Sequence, residues 1–172
     1  MKAEGAKNVR IEPLAAGEVE GMAALAAEIW HHHYASIITA AQIEYMLKQR
    51  YAPALVRAEL ARSDIWWDKL LVGDELSGFA SYFLAEPPED MKVDKLYVHQ
   101  RCQRRGYGGL LIERAVEVAR KQGCRRLVLA VNKNNRNAIA AYLKHGFHVA
   151  DAIVKEIGGG FVMDDYVMEK LL

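Results

Sequence analysis

The residues best suited to chemistry in this chain are Gln103-Arg104-Arg105-Gly106-Tyr107-Gly108-Gly109. Glycine lets a backbone turn sharply and approach a ligand closely. A helix starting just after such a turn offers unpaired N–H groups and the positive end of its dipole. Together these make an anion site suited to a pyrophosphate, and Arg101, Arg104 and Arg105 add local positive charge. The same residues would also serve as a plain tight link between a strand and a helix, and alone they do not decide. Two other phosphate motifs fail on residue type. A P-loop needs a Gly-Lys-Ser/Thr ending, which is absent. The dinucleotide fingerprint needs Gly-x-Gly-x-x-Gly and an acid closing the next strand; here the glycines read Gly-x-Gly-Gly and that strand ends in Asn132.

The elements around that turn follow from hydrophobic period. Residues 8–14 alternate apolar and polar, which predicts a first strand. Residues 18–34 carry Val19, Met22, Ala23, Ala26, Ile29 and Trp30 at helical spacing. Thr39 is placed to cap a second helix with Ile43, Met46 and Leu47 on its buried face, and Pro53 to start a short third one through Arg62. Residues 65–72 and 76–85 read as a hairpin across Gly73-Asp74-Glu75, closed by Pro87-Pro88. A strand over 91–98 leads into the glycine turn, and a helix over 108–122 follows, with Leu110, Leu111, Ala115, Val118 and Ala119 as its apolar positions and Gly123 as its stop. The continuous apolar run 126–131 predicts a strand buried on both faces. A helix over 135–145 ends at Gly146, and strands over 147–157 and 161–171 join through Gly158-Gly159-Gly160. This order implies an α/β fold with a central mixed, mostly antiparallel sheet of about seven strands, flanked by helices.

Composition sets outer bounds. A chain of 172 residues is one ordinary domain, and 52% hydrophobic residues suffice for a core. We read residues 1–172 as a single domain, with 1–62 as an N-terminal strand and helices and 63–172 as the sheet and ligand-binding core. The net charge of +1 gives no electrostatic case for nucleic acid or anionic membrane as partner. No apolar run reaches the roughly 18 residues that span a bilayer. Cys102 and Cys124 form no CxxC pair and no secretory signal opens the chain, so reduced thiols and a cytoplasmic location are expected.

Three segments, taken in order, resemble the GNAT superfamily of N-acetyltransferases. Lys95-Leu96-Tyr97-Val98 followed by Gln103-Arg104-Arg105-Gly106-Tyr107-Gly108 is similar to its signature strand and Q/R-x-x-G-x-G/A loop. Asn132 to Phe147 (NKNNRNAIAAYLKHGF) is similar to its second conserved segment. The likeness covers residues 64–172 well and the first third only in element order. It departs at Arg104, where many members have glycine. What it implies is acetyl-coenzyme A as donor, with no metal. Leu96, Tyr97 and Val98 would splay from the neighbouring strand and pair with the pantetheine arm, a backbone N–H near Val98 meeting the oxyanion. Gln103 through Gly109 would form the loop that holds the pyrophosphate. Asn132 and Asn135 would lie along the cofactor edge, and Tyr142 would face the sulfur.

The chemistry implied is attack of a neutral amine on a thioester. An alkylammonium with a pKa of about 10.4 is only about 0.1% neutral at pH 7, so a base or water relay is needed, and a donor must meet the departing thiolate. Tyr142 is the candidate acid; its bland alternative is a core tyrosine among Ile139, Leu143 and Phe147. Asp94, four residues before Val98 on the signature strand, is the candidate base and is expected on the same sheet face as Leu96 and Val98. Its alternative is an exposed carboxylate paired with Lys92 or Lys95.

His31-His32-His33 cannot converge on one metal ion, because adjacent helical residues point about 100° apart; a surface helix end is the plainer reading, with one histidine or Tyr34 left to line an acceptor pocket. Trp66-Trp67 reads as one core ring and one partly exposed. Cys102 lacks a histidine partner, which favours direct transfer over an acyl-enzyme. Asp164 and Asp165 read as solvated strand-end charges, with attraction of a cationic amine as the alternative. The expected acceptor is a small primary amine or polyamine. A protein N-terminus or lysine, and a non-catalytic acyl-coenzyme A sensor, stand as alternatives. A nucleotide-dependent oxidoreductase is disfavoured by the loop residues. A homodimer through the last strands stays open.

Overall fold

The computed structural model describes residues 8–172; residues 1–7, which the domain boundary above includes, lie outside the described residues. Seven strands form one sheet in the order β1-β2-β3-β4-β5-β7-β6. They are β1 (Val9–Pro13), β2 (Ile65–Val72), β3 (Glu75–Leu84), β4 (Asp90–Val98), β5 (Arg126–Asn132), β6 (His148–Gly158) and β7 (Phe161–Leu171). The helices are α1 (Val19–His33), α2 (Ala40–Tyr51), α3 (Pro53–Leu60), α4 (Tyr107–Lys121) and α5 (Arg136–Lys144). Strand pairs are antiparallel except β4–β5, which runs parallel because α4 carries the chain back across the sheet. The seven-stranded mixed sheet flanked by helices is the expected architecture.

Alternation in the strands divides the interior into two cores, one on each side of the sheet. On one side α4 lays Leu111, Ile112, Ala115, Val118 and Ala119 on Met91, Val93, Leu127, Leu129 and Tyr82. On the other, α1, α2 and α3 pack Met22, Ile29, Trp30, Ile43, Met46, Tyr51 and Val56 on Trp67 and Phe79. The Thr39 hydroxyl caps α2 by accepting from the Gln42 amide at 3.2 Å, as expected. The apolar stripe of α4 differs from expectation in one place. Leu110 is exposed and Ile112 and Val116 are buried instead. Trp67 is buried and Trp66 half-buried, as the alternation predicts.

Two strand expectations are corrected. β5 is not buried on both faces. Leu127, Leu129 and Val131 face the α4 core, but Val128 is only half-buried and Ala130 is exposed, because their face opens on a cleft. In β4, the register against β3 passes from Ser81–Lys95 to Tyr82–Val93, so Asp94 is a bulge residue with no cross-strand partner. A bulge reverses the side on which following residues point. Leu96 and Val98 therefore pack with the α4 core, while Asp94 meets Arg50 of α2 on the opposite side. The expectation that Asp94 shares a face with Leu96 and Val98 fails for this reason.

Gly78 on β3 lies opposite Val98. A Cβ there would stand 2.7 Å from the Tyr97 carbonyl oxygen and 3.1 Å from Leu70 Cδ2. Gly78→Val is expected to destabilise the fold by about 3 kcal/mol, since neither the backbone nor the buried Leu70 can yield freely. A denaturation midpoint unchanged from the parent protein would contradict this.

Candidate active site

β4 and β5 pair only from Asp90–Arg126 to Val93–Leu129. Beyond that point β4 continues to Val98 and β5 to Asn132 with no pairing between them. The divergence opens a cleft of about 1070 Å³. It leaves the edge of β4 that faces β5 without a strand partner, and such an edge is a template for an extended polar ligand.

One mouth of the cleft lies against the glycine turn. Arg104 has φ 61° and Gly106 has φ 81°, so the chain makes two left-handed steps before α4 begins. The first explains why glycine suits the Arg104 position, since a Cβ is strained there. No side chain caps α4. The amides of residues 104–109 find no backbone acceptor among the described residues; the first bond is Leu110 N–H to the Gly106 carbonyl at 3.3 Å. These free donors at a helix N-terminus fit an anion. A Cβ on Gly108 would meet nothing within 4 Å, whereas one on Gly109 would lie 2.6 Å from the His145 ring. Gly109 packs closely against the half-buried His145 ring at the end of α5, and Gly108 borders open space where it lines the cleft. Gly108→Leu is therefore expected to fold normally and to bind coenzyme A at least tenfold more weakly, as read by calorimetry. Unchanged affinity would sink the loop assignment.

The expected site residues can be placed one by one. Leu96, Tyr97, Val98, Gln103, Arg104, Gly106, Tyr107, Gly108, Gly109, Asn132, Asn135 and Tyr142 all line the cleft, and Arg105 does not. Arg101 is not a free charge, because it pairs with Glu75 at 3.0 Å. Gln103 braces the loop by donating to the Val98 carbonyl at 3.1 Å. Asn132 accepts from the Asn134 amide at 2.9 Å. The Asn135 side chain accepts from the Ala138 amide at 3.4 Å, capping α5, and lies 3.1 Å from His33 Nε2. Tyr97 turns into the aromatic group around Trp30, and its hydroxyl lies 2.9 Å from that of Tyr34.

Tyr142 rests edge-on against Phe147, with ring centroids 5.5 Å apart, and its hydroxyl makes no hydrogen bond to any described residue. Burial alone pushes its pKa up to about 12, so the hydroxyl keeps its proton across the physiological range.

Asp94 is neither exposed nor free. Arg50 Nη2 is 3.1 Å from its Oδ1 and 2.9 Å from its carbonyl oxygen. The Lys95 ammonium pairs with its other carboxylate oxygen. Burial works to raise its pKa, but Arg50 and then Lys95 outweigh it and hold the group below the usual carboxylate range. Lys95 itself is buried between Trp67 and Tyr51, with Nζ 4.8 and 5.5 Å from the ring centroids. Lys95 is one of the two partners that the sequence suggests; Arg50, which lies 44 residues away, has no local sequence signal.

Another wall of the cleft is built by α1, α2, β6 and β7. His31 and His32 are exposed, while His33 and Tyr34 line the cleft; no group of three His, Cys, Asp or Glu that would suit a metal occurs among the described residues. Burial lowers the pKa of His33, against the opposing effect of Asn135. Cys102 is buried and free. The pair Asp164-Asp165 divides. Asp164 is exposed and bound to Lys133 at 2.6 Å, but Asp165 is buried and lines the cleft. Reading Asp165 as a solvated charge is corrected by its place opposite Asn132 and Ile153, between two strands.

Comparison with known proteins agrees with this geometry. A spermidine N(1)-acetyltransferase of Thermoplasma acidophilum is 25% identical over 161 residues, covering 91% of this chain and 96% of that protein. A spermine/spermidine N(1)-acetyltransferase of Bacillus subtilis is 32% identical over 80 residues, 42% of this chain and 53% of that protein. The crystal structure of the PaiA N-acetyltransferase from T. acidophilum in complex with coenzyme A superposes with a TM-score of 0.84 at 24% identity, covering 96% of this chain and 99% of that one. The sequence profile of the acetyltransferase (GNAT) family matches residues 27–147. With that span covering most of the sheet, the glycine turn and α5, the chain belongs to the acetyltransferase (GNAT) family.

Proposed function

We propose that this enzyme transfers the acetyl group of acetyl-coenzyme A directly to a primary amine of a small cationic molecule, with polyamines as the leading class. The observation that carries the reading is the divergence of β4 from β5 beside an uncapped helix start whose amides lack acceptors. A pyrophosphate fits the residue 104–109 amides, and an extended amide-bearing arm fits the unpaired edge of β4. The names of the two polyamine acetyltransferases above support the acceptor class.

The thioester supplies an activated acyl group when the donor is bound. The chain's own residues hold and orient. The turn from Arg104 to Gly109 binds phosphate oxygens through backbone N–H groups, and the edge of β4 from Leu96 to Val98 offers the backbone donor for an oxyanion. Tyr142, protonated because it is buried, donates a hydrogen bond to the leaving sulfur. Asp94 is a weak base in this setting, because Arg50 and Lys95 hold it ionised. We assign it the positioning of Lys95 and Arg50 at the cleft wall, and leave removal of the amine's proton to water in the cleft. No cysteine enters the reaction: Cys102 is buried and Cys124 is held up in pKa by burial and then by Asp90.

The test is thiol release from acetyl-coenzyme A over a panel of polyamines, amino acids, aminoglycosides and short peptides. Release that depends on diamines or polyamines is expected. No release with any amine, in a protein shown separately to bind the cofactor, would replace this reading with that of an acyl-coenzyme A sensor. Preference for peptides would move the acceptor to a protein N-terminus or lysine.

A further inference from the structure

One buried acid in the cleft has no hydrogen-bond or ion-pair partner among the described residues. Asp165 of β7 is only 8% exposed, and its Oδ1 is buried without a hydrogen-bond partner. Leaving such a group unsatisfied costs about 1–3 kcal/mol, and more when it is charged. The other acids on the cleft wall differ from it. Asp94 is committed to Arg50 and Lys95, and Glu156 is exposed. Arg50, Lys155 and Lys92 act on Asp165 electrostatically, but none forms an ion pair with it among the described residues. Burial has the largest effect on the group and raises its pKa, the direction expected when no partner compensates the lost water.

Resting on the function proposed above, we propose that Asp165 is the residue that receives a cationic nitrogen of the acceptor, and that it selects diamines and polyamines over monoamines. An ammonium supplies both the charge and the N–H donor that Oδ1 lacks. The nitrogen held there stays protonated, so it is not the one acetylated, which must be neutral to attack. An acceptor with two amines satisfies both demands at once. The surrounding wall suits the carbon chain between them: Met46, Ile153, Ile157, Met163, Trp30 and Tyr45 line the same cleft, Ile153 directly opposite Asp165 on β6 and Met163 two residues before it on β7. Nothing in the wall needs a second carboxylate to be present; one buried acid is enough to tell a diamine from an amine with an uncharged tail.

The experiment compares the protein with its Asp165→Asn variant on 1,4-diaminobutane and butylamine. Asparagine keeps the shape and removes the charge, so the variant is expected to fold with an unchanged or raised melting temperature. The expected result is a KM for 1,4-diaminobutane raised 10- to 100-fold with kcat within threefold, a KM for butylamine within threefold, and unchanged affinity for coenzyme A. Equal shifts for both amines, or no shift, would overturn the proposal. So would a loss confined to kcat with an altered pH profile, which would make Asp165 a proton carrier. Calorimetry of 1,4-diaminobutane with the coenzyme A complex gives a readout independent of turnover. Binding at least tenfold weaker in the variant supports the anchor even if neither amine is acetylated, in which case the proposed transfer alone fails. Equal binding in both proteins, or no binding to the parent protein, overturns the anchor itself.

Discussion

Tyr142→Phe is expected to lower kcat about 100-fold while leaving coenzyme A affinity within twofold. Tyr142 lines the cleft and its hydroxyl has no hydrogen bond to a described residue, so removing it breaks no internal hydrogen bond, and the ring keeps its packing on Phe147. The size of the effect follows from its pKa. Burial has pushed the phenol to about 12, above the roughly 8.5 of an ordinary thiol. Full proton transfer to the departing thiolate would therefore be uphill, and in the proposed role the group would act chiefly as a hydrogen-bond donor to a developing negative charge. Such bonds contribute about 1.5–3 kcal/mol, or roughly 10- to 150-fold in rate, below the upper end of the 10²–10⁴ range for a fully engaged acid. The pH dependence has a definite sign. In the proposed role Tyr142 acts in its protonated form, so its contribution should be complete at neutral pH and be lost only as pH rises toward 12. The rate should climb with pH as the amine loses its proton and show no fall up to about pH 10. A descending limb near pH 8 that disappears in Tyr142→Phe would contradict the burial argument, and a variant with full turnover would remove Tyr142 from the chemistry.

Asp94→Asn is expected to cost the fold about 2 kcal/mol at pH 7, measured by denaturant unfolding. Breaking a buried ion pair by removing one partner typically costs about 3–5 kcal/mol; the lower figure allows for a carboxylate that is 26% exposed. The cost falls on Lys95, whose side chain is 2% exposed. Burial lowers the pKa of that lysine and Asp94 opposes the shift, so the variant buries an ammonium with less compensation. The carboxylate's folded pKa is depressed, so its contribution is present above its unfolded value of about 3.9 and is lost as pH falls through the folded one. The gap between variant and parent should be widest near neutrality and should close in acid below pH 4. In catalysis the variant should lose rate without changing the shape of the pH–rate profile. A profile that loses its ascending limb would restore Asp94 as the general base.

These two residues mark the boundary of what a sequence carries here. The strand and helix order was legible because period 2 and period 3.6 patterns are local, and so were Thr39 as a cap and the glycine turn before α4. Both depend on a few neighbouring residues whatever the rest of the chain does. The membership of Tyr142 in the cleft came through likeness to a family, since helix pattern alone allows an ordinary core tyrosine. The β5 run misled because apolar composition does not say whether a face meets a helix or an opening.

What only the tertiary structure decided is which charges are compensated. The bulge at Asp94 has no mark in its own residues; it arises because β3 and β4 lose register between Ser81 and Tyr82, and it turns Asp94 away from Leu96 and Val98 toward an arginine from another helix. Alternation along β7 does put Asp164 and Asp165 on opposite faces, but it cannot say which face is covered. That follows from α2 packing over the face that carries Met163, two residues before Asp165, which leaves Asp164 exposed with Lys133 and encloses Asp165 without a partner among the described residues. Pairing and burial are properties of distant segments brought together, and so the chain by itself determined the elements and the glycine turn before α4, while the tertiary fold determined which buried carboxylate of the cleft has no partner among the described residues.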